Sequence, residues 1–186
     1  MSTAVILDPK PDVSPQWKAR IAGLFYVATF VGGITAMVNT EARVAANTIA
    51  TIAYFVVSYL FYELYRPVNK TISAIAAAVS FGALTLGMLQ MFRFVPDFIN
   101  NIVFFGVYCI LLGWLTYQST FLPKTIGVLL AIGGIGWLTY AFGPLIRALQ
   151  PYNIIPGMLG EGALTLWLVI FGVDAKRWNA MNGSAS

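Results

Sequence analysis

The stretch KTISAIAAAVSFGALTLGMLQMFR, residues 70–93, decides the fold. Residues 71–92 carry no charge between Lys70 and Arg93. As a helix rising about 1.5 Å per residue, such a run reaches about 33 Å, enough to cross a hydrocarbon core about 30 Å thick. A backbone surrounded by lipid must pair its own N–H and C=O groups, so the run reads as a helix rather than an open strand. It is too long for a strand of a membrane barrel and lacks the alternation such a strand needs.

Five further runs of this kind lie outward from it, at about 19–38, 47–65, 98–118, 124–146 and 154–173. Each is rich in Gly, Ala, Leu, Ile, Val and Phe and is bounded by charge, Pro or Asn. Across the 186 residues, 59% are hydrophobic and only 10% charged, and the mean hydropathy is +0.77. A soluble domain carries roughly 25% charged residues. The expected fold is all-α, a polytopic membrane bundle of six transmembrane helices. Residues 1–18, with Asp8, Pro9, Pro11, Asp12 and Pro15, read as a disordered cytoplasmic tail. They are too long and too acidic for the basic start of a cleaved signal peptide, so the first span is expected to be retained. Residues 19–173 form the membrane domain, and 174–186 a second, mobile tail ending in Asn-Gly-Ser-Ala-Ser.

The opening stretch returns 54 residues later. Residues 124–147, KTIGVLLAIGGIGWLTYAFGPLIR, align with 70–93 without a gap and match at eight of 24 positions. The matches include Lys-Thr-Ile, Gly82 with Gly136, Leu84-Thr85 with Leu138-Thr139, and Arg93 with Arg147. The period covers two spans, so the copies point the same way, as in parallel repeats. Three stacked helical hairpins, 1–2, 3–4 and 5–6, are the expected arrangement.

Basic residues set the orientation. Lys10, Lys18, Arg20, Arg66, Lys70, Lys124, Lys176 and Arg177 fall on one side, against Arg43, Arg93 and Arg147 on the other. Eight against three places both termini in the cytoplasm. The net charge of +4 is thereby explained by topology, and no nucleic-acid partner is expected. The sequons at Asn69 and Asn182 then face the cytoplasm.

Whole classes of chemistry fall away on composition. With no histidine, His-ligated metals, Ser-His-Asp and Cys-His catalysis are excluded. One cysteine, Cys109, permits no intrachain disulfide. Seven scattered carboxylates hold no metal site, and no cofactor is expected. Gly133, Gly134 and Gly136 lack the strand and the Gly-Lys-Ser/Thr of a phosphate loop and read as packing residues.

Ionisable groups at membrane depth are costly and call for an explanation. Glu161, eight residues into the sixth span and flanked by Gly160 and Gly162, is the strongest candidate ligand-binding residue. Arg93 and Arg147 could rim it from the outer edge, with Gln90, Tyr140 and Tyr152 completing a polar pocket. The plainer alternative is a helix-to-helix hydrogen bond or an ion pair with either arginine. Glu63 and Arg66, at i and i+3, read as an interfacial ion pair.

Four segments carry a resemblance: ARIAGLFYVATFVGGI (19–34), LYRPVNKTISAIAA (64–77), FLPKTIGVLLAIGGIGWL (121–138) and LGEGALTLWLVIFGV (159–173). Together they resemble the bacterial domain-of-unknown-function family 4386. The resemblance implies a multi-pass protein of the bacterial cytoplasmic membrane and supplies no activity.

Three functions fit these residues. The foremost is binding or passage of a small lipophilic or amphiphilic molecule in a pocket near Glu161. The second is an accessory subunit of a larger membrane complex, or a homo-oligomer, docked through Gly/Ala surfaces in contact with membrane lipids. The third is a cofactor-free intramembrane enzyme, a cyclase or isomerase, with Glu161 as acid or base. It ranks last because a second positioned group is hard to find.

Overall fold

The computed structural model describes residues 14–96 and 100–184. Expectations for residues 1–13, 97–99 and 185–186 lie outside the described residues.

Helix α1 (Pro15–Val38) opens on Ser14, whose hydroxyl accepts a hydrogen bond from the Trp17 amide at 3.3 Å. Pro15 follows in the first turn, where a missing N–H costs nothing. The helix therefore starts four residues before the expected span, and Pro15–Lys18 belong to it rather than to a tail. Helix α2 (Arg43–Tyr65) runs back, and α3 (Lys70–Met91) begins on Asn69, which caps the Ile72 amide at 2.9 Å. Helix α4 (Asn101–Gln118) is capped in the same way by Asn100. Helices α5 (Lys124–Leu138), α6 (Gly143–Leu149), α7 (Ile155–Ile170) and α8 (Ala175–Ser184) complete the chain. Among the described residues there is no strand.

Six helices are long and apolar enough to cross a membrane, the fifth counted through Ala141 and the sixth from Tyr152. The protein is a multi-pass membrane protein. Each spanning helix packs on its neighbour in chain order, α1 to α5 and then α7, and α7 returns to α1 to close the ring. Helices in lipid associate by close packing and hydrogen bonding rather than by hydrophobic exclusion, so small residues mark their crossings. Glycines 106, 113, 127 and 134 lie where the backbones of α4 and α5 meet, and Gly32 rests on Ala46 and Ala50 of α2. Paired hydroxyls add to this: Ser58 to Ser80 between α2 and α3, and Tyr65 to Thr116 between α2 and α4, both at 2.7 Å.

The fifth span departs from expectation. Read as 124–146, it is helical only to Leu138, continues through one 3-10 turn (Thr139–Ala141), and then swings out into α6. The break falls at Phe142, whose backbone is extended, and Pro144 explains it, since its ring lacks an N–H and would clash with the Tyr140 carbonyl in a continuous helix. Thr139 reinforces it, its hydroxyl donating to the Gly136 carbonyl at 2.6 Å. Helices α3 and α5 thus begin at the equivalent lysines, but α5 is seven residues shorter (15 against 22).

The carboxyl-terminal segment also differs, because residues 175–184 form α8 rather than a mobile tail. Trp178 is 3% exposed, and its indole donates to the Leu64 carbonyl at 2.8 Å. Gln16 fastens the same end, with its amide nitrogen on Phe171 O and its oxygen accepting from Val173 N. Gly172, with φ 69°, makes the turn between α7 and α8.

Candidate functional site

Near the middle of α7 stands Glu161, 6% exposed. Its carboxylate accepts two hydrogen bonds. Tyr26 of α1 donates to Oε2 at 2.8 Å, and the Trp137 indole of α5 donates to Oε1 at 2.9 Å. Tyr54 of α2 extends the chain, its hydroxyl 3.0 Å from that of Tyr26. With the Tyr26 proton committed to the carboxylate, Tyr54 donates to Tyr26. One acidic side chain therefore gathers four helices.

Two glycines of α7 make this geometry accessible. Gly160 lets α7 lie against the Leu129 carbonyl of α5, where a Cβ would come within 2.6 Å. Gly157 lies directly beneath the Trp137 indole, and a Cβ there would fall on ring atoms Nε1 and Cε2. Trp137 reaches Glu161 because residue 157 has no side chain. Gly162, by contrast, faces open space.

Glu161 forms the floor of a cavity of about 300 Å³. Its walls are Tyr26, Thr29, Phe30, Gly33, Ile34 and Met37 of α1, Asn47 of α2, Trp137 of α5, and Ile154 and Met158 beside α7's Glu161. Its cause lies at the other end of the helix pair. Near the α8 end, α1 and α7 touch at Gly23, where a Cβ would lie 2.9 Å from Val169. Beyond Tyr26 the helices part, and a Cβ on Gly33 would meet nothing within 4 Å. Ile154 precedes Glu161 by seven residues, so the cavity descends about 10 Å along α7. A neighbouring cavity of about 310 Å³ shares Met37, Trp137 and Ile154 and reaches Asn101, Phe105 and Tyr140. Trp137 stands between the two.

The sequence singled out Glu161 but assigned it other companions. Among the described residues, Arg93, Arg147, Gln90, Tyr140 and Tyr152 do not line its cavity. Arg93 is exposed in the turn after α3, and the Gln90 amide donates to the Pro96 carbonyl at 3.2 Å. Arg147 is carried outward on exposed α6, because the fifth span breaks before it. Tyr152 is 70% exposed, and Tyr140 faces the neighbouring cavity. Glu63 meets Arg66 at 3.5 Å and, in addition, Lys18 of α1 at 3.3 Å. This cluster sits at the α8 end, far along the helices from Glu161. No three Cys, Asp or Glu residues converge as a metal site among the described residues.

Sequence comparisons now place the molecule. A family described as "Domain of unknown function (DUF4386)" matches residues 98–172, the part that holds both Trp137 and Glu161. An uncharacterized protein of Archaeoglobus fulgidus is 33% identical over 125 residues, covering 62% of this chain and 75% of that protein. The chain belongs to the DUF4386 family. No solved structure matches it. The family supplies no activity, so the chemistry must be read from the cavity. Each Glu161 oxygen has one neutral donor, and an ionised carboxylate offers about four acceptor positions, so acceptor capacity remains on a residue that lines the cavity.

Proposed function

We propose that the protein binds, and in that way holds or passes, a small lipophilic or amphiphilic molecule in the cavity between α1 and α7. The observation that carries this reading is a buried carboxylate at the floor of an otherwise apolar space. Its volume of about 300 Å³ falls at the lower end of ligand sites, which run from about 300 to 1,000 Å³. Such sites combine apolar walls with a few converging polar groups that fix orientation. Tyr26, Trp137 and Glu161 are those groups here. Helix-to-helix bonding alone would not require the empty volume beside Gly33.

The location that fits is the bacterial cytoplasmic membrane, with both termini in the cytoplasm. The Lys18–Glu63–Arg66 cluster, Lys70, Lys124 and α8 then mark the inner side, and the cavity opens in the outer half. Native mass spectrometry of protein released from its own membranes tests the function. The parent should retain a bound small molecule that Gly33→Leu, whose Cβ meets nothing within 4 Å and whose side chain would take up space in the cavity, does not retain. Equal retention by both would contradict it.

A further inference from the structure

We propose that the occupant is a lipophilic monocation, an alkylamine or quaternary ammonium, whose head sits against Glu161. The inference rests on the cavity reading above and adds the charge of the ligand. A buried carboxylate is stabilised by paired charge, and hydrogen bonds from neutral donors compensate it only in part. Both side chains bonded to Glu161, Tyr26 and Trp137, are neutral, and no Lys or Arg among the described residues lines the cavity. A cationic head supplies the missing charge. An anion would meet the carboxylate without compensation.

The walls favour the same head. Tyr26, Phe30 and Trp137 all face the space, and aromatic faces attract ammonium groups most strongly where water is excluded. Tyr26 and Phe30 stack with ring centroids 5.5 Å apart, so two aromatic rings stand together on the α1 side of the space. Met37 and Met158, with flexible and polarizable thioethers, adapt to a variable tail. Ile34 and Met158, 51% and 39% exposed, let that tail leave toward the surrounding lipid. A phosphatidylethanolamine headgroup also carries an ammonium, but it would bring a phosphate into a space without a basic residue. The free amphiphilic amine is the better fit.

The test uses the full-length protein in maltoside micelles, which contain no ammonium group. Three probes share one tail: decyltrimethylammonium, decanol and decanoate, with binding followed by native mass spectrometry. The parent should bind the ammonium about tenfold or more tighter than decanol, the order expected of a desolvated cation–aromatic contact, and decanoate least. Glu161→Gln should lose that preference while keeping decanol, and Gly33→Leu should lose all three. Equal binding of ammonium and decanol, both lost in Gly33→Leu, would overturn the charge proposal and leave the cavity reading standing. Binding of every probe unchanged in Gly33→Leu, or of none to the parent, would overturn both. Phosphatidylethanolamine displacing decyltrimethylammonium at comparable concentration would reassign the site to a lipid headgroup and overturn the free amine. The probe ranking on the parent decides the proposal even if Glu161→Gln does not fold.

Discussion

Trp137 donates its indole hydrogen bond to Glu161 at 2.9 Å, joining α5 to α7 across the floor of the cavity. The pair is possible only because Gly157 leaves the ring a place to lie. Gly157→Val should therefore push Trp137 off Glu161 while the helices persist. In protein labelled with 5-fluorotryptophan, the Trp137 resonance, one of five, should move as it does in Glu161→Gln. An unmoved resonance would show that the indole does not depend on residue 157.

Tyr26→Phe removes one of the two donors to Glu161 and ends the link to Tyr54. Side-chain hydrogen bonds between membrane helices average about 0.6 kcal/mol and reach about 1.7 kcal/mol. Loss of stability within that range is expected, measured by reversible unfolding in mixed micelles. A double-mutant cycle with Glu161→Leu, which leaves no acceptor for the Tyr26 hydroxyl, should show coupling of similar size, and strict additivity would place the two side chains apart.

The six spans were legible because a hydrophobic run of membrane length admits one backbone solution. Their ends were less so. Pro144 was visible in the sequence and, given its due weight, would have stopped the fifth span before Arg147 and removed that residue from the outer rim. Trp178 was likewise a signal: a large aromatic in a short polar segment needs somewhere to bury, and α8 provides it beneath Leu64. Glu161 stood out because a lone carboxylate at depth is expensive. Its partners did not, since Tyr26 lies 135 residues away and looks like any aromatic of an apolar helix. No local period records such a pairing; it exists only once α1 closes on α7.

Trp178→Ala should detach α8 from the bundle. Truncation of a buried tryptophan costs about 3–5 kcal/mol in well-packed sites, and this one also gives up its bond to Leu64. Limited trypsin digestion should then cut at Lys176 and Arg177 much faster than in the parent, with the spanning helices intact. Unchanged digestion would mean that α8 is held by other contacts.

Both termini are expected on the cytoplasmic side. A reporter that is active only in the cytoplasm should work when fused to either end, and one active only outside should be silent at both. Activity of the external reporter at either end would invert the assignment of the cavity to the outer half.

The central claim is that the space between α1 and α7 is a binding site rather than a packing defect. Photolabelling in native membranes with a diazirine-bearing decylammonium measures this most directly. Label should concentrate on peptides containing residues 26–37 and 154–161. Unlabelled decyltrimethylammonium should displace it, and Gly33→Leu should abolish it. Label spread evenly over the lipid-facing surfaces of all six spanning helices, indifferent to competitor and to Gly33→Leu, would contradict the account.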